Sequence, residues 1–258
     1  MASGGYHLKV DRGLGISTSG YEIIIVGAGI VGSEAAFVCA SKGIKTLLVT
    51  TSLDSVYALG ARVGQLKPAP DTLMASLLDG NMGASQPDGA VLRVKAKYIL
   101  ESLESLHLLQ SNVTDLIWTE TRLGGVVTWE GVVRFAPRVA LCVGSFLKAR
   151  LSSGSVIEVA GRLSEMAYDD LFLNLIKYGY AFENTSVEFP KECGALPYTV
   201  TFQRFGLHEL GQDGFTLKRT PGLYSAGVCV NGELPYEIAA NTGRKLGITL
   251  ASAMNEEG

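Results

Sequence analysis

Three glycines in the stretch YEIIIVGAGIVGSEAAF, residues 21–37, have the spacing of a phosphate-binding loop. Gly27, Gly29 and Gly32 form G-x-G-x-x-G between a β-branched run and a helical segment. In such a loop the first glycine permits a tight turn, the second lets the backbone approach a pyrophosphate, and the third lets the helix pack on the strand. The helix N-terminus then holds the anion. The stretch therefore predicts a dinucleotide site.

The residues after the next strand bear on which dinucleotide is bound. An Asp or Glu about 20 residues beyond the glycines usually accepts hydrogen bonds from the ribose hydroxyls. Here the chain reads Val-Thr-Thr-Ser at 49–52, so the hydroxyls of Thr50 and Thr51 would have to take that role. No Lys or Arg lies between Thr46 and Ala61 to meet the extra phosphate of NADP. Both observations weaken the nicotinamide interpretation.

The order of elements predicts an α/β fold. A buried strand at 21–26, a helix at 33–42 and a second buried strand at 45–50 form a βαβ unit, whose strands are normally parallel. Residues 53–90 are irregular apart from a short helix at 71–78, and this segment is either a functional lid or a surface insertion. The elements predicted further along are a helix at 93–105, a strand at 106–110, a meander at 113–120, 124–130 and 132–135, a strand at 139–143, a helix at 168–177, strands at 181–187, 198–205, 215–218 and 222–228, and a helix at 235–253.

We therefore expect a Rossmann-like dinucleotide-binding domain with a parallel sheet, a β-meander and a small mixed extension. Its expected limits are 21–258 as a single domain, with the mixed insertion at 151–220. A flexible N-terminal extension at 1–20, rich in Gly and Ser, would precede it.

The last block, TPGLYSAGVCVNGELPYE, has the form of a strand, a glycine turn and a helix. Pro235 suits the start of the final helix. A helix N-terminus aimed at the pyrimidine end of an isoalloxazine would stabilise the negative charge of a reduced flavin, and Tyr236 and Glu237 would line the ring. The same arrangement also arises from packing alone, with Glu237 only complementing the helix dipole.

Three blocks together resemble the GidA (MnmG) flavoproteins, which modify the wobble uridine of certain tRNAs. The blocks are VGAGIVGSEAAFVCASKGIKTLLVTTSLD, ALCVGSFLKARLSSG and GLYSAGVCVNGELPYEIAANTG. The segment VLRVKAKYILESLESLHLLQSNVTDL, between the first two, also fits. The likeness extends to Thr rather than an acid after the second strand.

The resemblance implies that the chain binds FAD. The cofactor residues expected from the resemblance and from the observations above are Gly27, Ala28, Gly29, Ile30, Val31, Gly32, Thr50, Thr51, Val113, Gly144, Ser145, Gly227, Asn231, Gly232, Tyr236 and Glu237. Among them, Val113 would meet the adenine through its backbone.

The chain also departs from this family. It is most similar to the short GidA-related proteins, which are little more than the FAD-binding domain, without the helical tRNA-binding region and the nicotinamide insertion of the full enzymes. The first-loop cysteine of those enzymes has no counterpart, and Val228 stands where they have a cofactor-contacting Gln. We expect a flavin-dependent redox role with an external redox or protein partner, and no autonomous tRNA binding. A non-catalytic flavin-binding module and an NAD-dependent dehydrogenase are the alternatives.

The composition excludes several other classes. Apolar residues make up 47% and charged residues 18%, with a net charge of −3, which argues against a protein that neutralises a nucleic-acid backbone. Cys39, Cys142, Cys193 and Cys229 form no C-x-x-C pair, so no metal site is expected and a reducing cytoplasm is indicated. No signal peptide or membrane span is expected. No catalytic residue is identified: Cys193 and Cys229 are candidate redox thiols without a visible activating base, and the oligomeric state is open.

Overall fold

The structure is a computed structural model that describes residues 20–60, 63, 66–79, 88–119, 122–189 and 196–254. Its helices are α1 (Ile30–Ser41), α2 (Leu73–Leu78), α3 (Gly89–Glu101), α4 (Asp170–Lys177), α5 (Val228–Asn231) and α6 (Tyr236–Ala253). Its strands are β1 (Ile23–Val26), β2 (Thr46–Thr50), β3 (Leu106–Gln110), β4 (Val113–Thr119), β5 (Arg122–Thr128), β6 (Val133–Phe135), β7 (Arg138–Leu141), β8 (Arg150–Ser153), β9 (Val156–Glu158), β10 (Ala160–Arg162), β11 (Glu165–Met166), β12 (Phe182–Phe189), β13 (Tyr198–Phe205) and β14 (Leu223–Ser225). Among these helices none is long and apolar enough to cross a membrane.

A five-stranded parallel sheet in the order β14-β7-β1-β2-β3 is the frame of the fold. Its central strand, β1, is β-branched throughout and buried along its whole length, as a parallel strand covered on both faces requires. Ile23 and Ile25 pack with α1, α3 and α6 on one face. Ile24 and Val26 pack on the other face with the antiparallel meander of β4, β5 and β6. The predicted α/β fold with a parallel sheet and a meander is confirmed.

Two helices cross closely behind the sheet because α6 carries glycines where it meets α1. A Cβ on Gly243 would lie 2.3 Å from the carbonyl oxygen of Val31, and a Cβ on Gly247 would lie 2.7 Å from Cβ of Val38. Only the absence of a side chain allows this approach. The contact fixes α1, and the glycine loop that precedes it, against the C-terminal helix.

The mixed segment contains a second sheet, antiparallel and in the order β12-β13-β8-β9, and a separate hairpin of β10 and β11. Leu151, Val187, Val200 and Phe202 belong to an apolar cluster of its own. The sequence predicted β12 and β13 but missed β8 to β11. β9 is exposed along its whole length and β10 contains Gly161, so neither shows the alternation that marks a half-buried strand.

Two helices, α1 and α3, begin earlier than expected, directly after their N-cap residues. α1 begins at Ile30 rather than at 33, because Gly29 takes the N-cap position. α3 begins at Gly89 rather than at 93, because the side chain of Asp88 accepts a hydrogen bond from the amide of Ala90 at 2.8 Å. An Asp before a helical run is an N-cap signal, so the second boundary was readable from the sequence.

The strand predicted at 215–218 is wrong. This stretch makes only isolated bridges, Leu210 with Leu217 and Thr216 with Tyr224. The side chain of Asp213 accepts hydrogen bonds from the amides of two of the following residues and holds the stretch in a turn. A side chain that bonds its own backbone in this way competes with a strand ladder.

Candidate functional site

A cleft opens at the carboxyl ends of the central strands. It lies where the strand order reverses, between the β1–β2 pair and β7, which is the place where open α/β sheets bind ligands. It holds about 780 Å³ of space, counting the part open to solvent. Its lining residues in the described part of the chain are Val26, Gly27, Ala28, Gly29, Val49, Thr50, Thr51, Ser55, Ser111, Asn112, Val113, Cys142, Val143, Gly144, Phe146, Leu147, Arg162, Glu165, Tyr168 and Leu171. The predicted residues among them are Gly27, Ala28, Gly29, Thr50, Thr51, Val113 and Gly144.

The three loop glycines each have a distinct steric environment. Gly27 has φ +104°, and a Cβ there would lie 2.2 Å from the carbonyl oxygen of Cys142. A Cβ on Gly32 would lie 1.9 Å from the carbonyl oxygen of Gly27, so only glycine lets α1 start this close to β1. A Cβ on Gly29 would meet no atom within 4 Å in the described part of the chain, its two chain neighbours aside. The loop is therefore tight at its ends and leaves room at its middle glycine, which lines the cleft.

The N-terminus of α1 presents backbone amides at the same place. Gly29 caps the helix without a side chain, and the first turn holds no acidic residue. The first intrahelical bond runs from the amide of Ser33 to the carbonyl of Gly29 at 2.9 Å, so the amides of Ile30, Val31 and Gly32 have no partner within the helix. The side chains of Ile30 and Val31 are buried and Gly32 has none, so these residues can meet a ligand only through their amides. Such an end favours an anion.

The ends of β2 and β3 form one side of the cleft with uncharged polar groups. The Thr50 hydroxyl donates to the carbonyl of Ser52 at 3.1 Å, and Thr51 is exposed beside it. Ser111 and Asn112 come directly after β3, and Nδ2 of Asn112 is buried without a hydrogen-bond partner among the described residues. Sequence reasoning missed this pair, although polar residues directly after a parallel strand are a usable signal.

The opposite wall comes from outside the βαβ unit. The loop after β7 contributes Gly144, with φ +59°, and the ring of Phe146. Ser145, predicted as a cofactor residue, does not line the cleft: its hydroxyl donates to the carbonyl of Gly161 at 2.7 Å. The β10–β11 hairpin and the start of α4 supply Arg162, Glu165, Tyr168 and Leu171. Sequence reasoning missed these four, because nothing local to the hairpin marks it as part of a nucleotide site.

The residues predicted from the C-terminal block do not line the cleft. The positive φ of Gly227, +88°, starts α5, which ends at Asn231 and Gly232. The hydroxyl of Tyr236 accepts a hydrogen bond from the amide of Gly60 at 2.9 Å. Glu237 accepts one from the amide of Lys67. In the structure these side chains therefore hold the segment that follows β2 against the N-terminus of α6.

A buried carboxylate ties the same segment to α1. Glu34 is fully buried, and its carboxylate accepts hydrogen bonds from the Tyr57 hydroxyl at 2.5 Å and from the amides of Leu73 and Met74 at 2.7 and 2.9 Å. Burial raises the pKa of this carboxyl above its ordinary value, and the three donors oppose the shift. Tyr57, itself buried with φ +55°, also bonds its amide to the carbonyl of Ala28 at 2.8 Å. The glycine loop and the segment after β2 thus share one support.

The cysteines have the surroundings of structural thiols. Sγ of Cys229 donates to the carbonyls of Ala226 and Leu141 at 3.3 and 3.5 Å. Burial raises the pKa of Cys229 and of Cys142, so neither thiol ionises readily. Cys193 lies outside the described residues. Within those residues no group of three or more His, Cys, Asp or Glu side chains could hold a metal ion.

A parallel sheet with a glycine loop and a cleft at its switch point defines a Rossmann-like fold, the class of fold that binds dinucleotides at this place. The model of the family described as Glucose inhibited division protein A matches residues 22–188. The chain belongs to this family, as its three sequence blocks predicted.

Individual relatives agree with this assignment. The crystal structure of a GidA-related protein from Thermus thermophilus is 37% identical, with a TM-score of 0.81 over 91% of this chain and 100% of that chain. Aquifex aeolicus GidA, at 16% identity and a TM-score of 0.79, shares the fold over 92% of this chain and 64% of its own. The tRNA uridine 5-carboxymethylaminomethyl modification enzyme MnmG of Chlamydia abortus is 27% identical over 214 residues, 72% of this chain and 35% of that protein. The chain spans about a third of the length of the curated relatives it matches.

Proposed function

We propose that the chain binds FAD, with the ADP half of the cofactor in the cleft, and serves as a flavin-dependent redox protein. The observation that carries this proposal is the glycine loop at the switch point, with room for a ligand at Gly29 and with Thr50 and Thr51 in place of an acid after β2. Membership of a flavoprotein family supports FAD over NAD as the dinucleotide. When bound, the flavin would supply the electron or hydride transfer.

The residues present fit the two halves of FAD differently. The pyrophosphate would lie at the N-terminus of α1, where the amides of Ile30, Val31 and Gly32 lack partners in the helix. The adenosine would lie along the ends of β2 and β3, against the backbone of Val113. The unpartnered Nδ2 of Asn112 fits an acceptor on the cofactor, since a buried donor without a partner is costly.

The flavin half is assigned to the N-terminus of α6. Gly227, Asn231, Gly232, Tyr236 and Glu237 lie at or before this helix end. There the free amides of the first turn would stabilise negative charge on a reduced ring. Tyr236 and Glu237 would act indirectly, by holding the segment after β2 in place as a wall of the flavin site.

Replacing Asn112 with alanine tests the adenosine end. We expect FAD affinity to fall about 5- to 10-fold, which corresponds to one neutral hydrogen bond, while the free energy of unfolding changes by less than about 1 kcal/mol. Asn174→Ala is the matched control, because Asn174 donates to the carbonyl of Thr114 at 3.0 Å outside the cleft. That variant should lose stability and keep its FAD affinity. Equal FAD affinity in wild type and Asn112→Ala would contradict the placement.

Activity on tRNA is not part of the proposal. The relatives named for this activity are about three times as long as the matched part of this chain, and the net charge of −3 gives the chain no overall attraction for a nucleic-acid backbone. We expect no specific complex with tRNA in a gel shift at physiological salt. A tight and specific complex would overturn this view.

Cofactor content tests the proposed function. The purified protein should show flavin absorbance bands and release FAD on denaturation. Anaerobic bleaching of those bands by NADH or by a reduced electron carrier would support a redox protein, whereas a flavin that no donor reduces would indicate a non-catalytic module. A colourless protein that takes up NAD but no FAD would contradict the proposal.

A further inference from the structure

The cleft contains a positively charged side chain that lies outside the glycine loop. Of the described residues that line the cleft, Arg162 is the one with a cationic side chain and Glu165 the one with an anionic side chain. The side chain of Arg162 is 36% exposed and that of Glu165 19%. Neither belongs to the βαβ unit, and neither was predicted to touch a cofactor.

The position of the Arg162 side chain is set by Glu165. The two residues face each other across the β10–β11 hairpin, and Nη1 of Arg162 donates to Oε1 of Glu165 at 2.9 Å. Among the described residues, Nε and Nη2 of Arg162 have no hydrogen-bond partner. The guanidinium is thus held at one nitrogen and keeps donors available toward the cleft.

The hairpin itself is fixed to the wall of the cleft. The carbonyl of Gly161 accepts a hydrogen bond from the hydroxyl of Ser145 at 2.7 Å. A Cβ on Gly161 would lie 2.5 Å from atoms of the Phe146 ring, so the strand packs flat on this ring because it carries no side chain there. Both contacts join β10 to the loop that follows β7. Arg162, next to Gly161, is therefore presented to the cleft by a rigid support.

We infer that Arg162 binds the pyrophosphate of the bound dinucleotide, with Glu165 as its positioning residue. The inference rests on the proposed dinucleotide site but does not require a flavin. A pyrophosphate carries negative charge that the amides at the N-terminus of α1 meet with partial charges only. A guanidinium with free donors supplies a full charge and can bond two oxygens at once. The hairpin would thereby favour ligands with a diphosphate. The glycine loop favours the same ligands from the opposite side of the cleft.

Arg162→Gln tests the inference with two probes, ADP and adenosine. ADP contains the diphosphate and adenosine does not, and both fit the adenosine end of the cleft. The substitution should weaken the binding of ADP and of FAD at least about tenfold and that of adenosine less than about twofold. Arg162→Lys keeps the positive charge but loses the planar guanidinium that can bond two oxygens at once. Its ADP affinity should therefore lie between those of wild type and Arg162→Gln.

Lys97→Gln is the matched control. It removes one positive charge and breaks an ion pair with Glu101 on α3, at a similar exposure of 32% and away from the cleft. It should leave the binding of ADP, adenosine and FAD unchanged. Thermal unfolding of each variant shows whether the fold is retained.

The outcomes separate this inference from the proposed function. Equal losses for ADP and adenosine would mean that Arg162 only supports the fold, and unchanged ADP binding would mean that it touches no phosphate; either result overturns the inference. If wild type binds ADP in an Arg162-dependent manner but takes up no FAD, the inference stands and the flavin proposal fails. If wild type binds neither FAD nor ADP, both fail.

Discussion

Replacing Gly29 with alanine is expected to weaken FAD binding at least about 100-fold, or about 2.7 kcal/mol, and to leave the fold intact. Apart from its two chain neighbours, an added Cβ would meet no atom of the described residues within 4 Å, so the core has no reason to shift. It would instead occupy the space through which a pyrophosphate must approach the backbone. Because Ala is a poorer N-cap than Gly, we expect a loss of stability below about 1 kcal/mol. FAD titration and chemical unfolding measure the two effects separately.

Two other glycines serve as comparisons for Gly29→Ala. In Gly32→Ala the Cβ would lie 1.9 Å from a backbone oxygen, so α1 must move and stability should fall by about 3 kcal/mol. In Gly211→Ala, outside the cleft, the nearest atom is the side-chain oxygen of Asp213 at 3.2 Å, and FAD affinity should stay unchanged. Wild-type FAD affinity in Gly29→Ala would show that no ligand approaches the loop at this residue.

Replacing Glu34 with alanine is expected to lower the free energy of unfolding by about 3–5 kcal/mol. The change leaves the Tyr57 hydroxyl and the amides of Leu73 and Met74 without their acceptor inside the core. Glu34→Gln should lower the free energy of unfolding less, by about 1–3 kcal/mol. The side-chain oxygen of Gln can still accept hydrogen bonds, but its NH₂ group would face one of the donors that now bond to the carboxylate. Glu101→Ala on the surface of α3 should stay within about 0.5 kcal/mol of wild type. Urea unfolding of the variants compares these values.

The pH dependence of Glu34→Gln follows from the raised pKa of the carboxyl. Burial makes the folded protein hold this proton above the ordinary value of 4.5, so the folded state binds more protons than the unfolded chain in that range. The contribution of Glu34 to stability is therefore largest below pH 4.5 and declines as pH rises through the raised pKa. The stability difference between wild type and Glu34→Gln should shrink over the same interval. A difference that grows with rising pH would contradict the assignment.

The sequence predicted the half of the site that lies on the βαβ unit. Gly27, Gly29 and Thr50 lie at the ends of consecutive elements, where a local pattern and the rule for parallel sheets together place them, whereas Val113, which lines the same cleft, was expected from the family resemblance. The loop was recognisable because Gly27 and Gly32 must be glycine, the first to fit beside the carbonyl of Cys142 and the second to let α1 start close to β1. The frame of strands and helices was also readable, since the central strands β1 and β2 are short, continuous buried runs of the kind that parallel sheets contain.

The other half depends on contacts between segments that are distant along the chain. Arg162 and Glu165 reach the cleft only because Gly161 packs on Phe146, and the short hairpin that carries them has no hydrophobic alternation. Tyr236 and Glu237 were assigned to a flavin ring from their place at a helix start, whereas the structure shows them bonded to the segment after β2. Neither relation is encoded in local spacing. Both require the tertiary fold.

The segment after β2 connects the glycine loop with the N-terminus of α6, that is, the phosphate end of the proposed site with its flavin end. Glu34 holds Tyr57, and Tyr57 bonds to Ala28 inside the loop, while Tyr236 holds Gly60 in the same segment. A change in this segment should therefore alter both the phosphate end and the flavin end of the proposed site. We therefore expect the buried carboxylate of Glu34 to influence a bound cofactor only through this support and not by contact.

Titration of the FAD-free protein with FAD tests the central claim most directly, with quenching of flavin fluorescence as the signal and ADP as the competitor. We expect saturable binding of one FAD per chain that ADP reverses, because both ligands need the α1 N-terminus and the ends of β2 and β3. Saturable binding of NAD with none of FAD would contradict the claim. FAD binding that ADP leaves unchanged would also contradict it, because the cofactor would then lie outside the cleft.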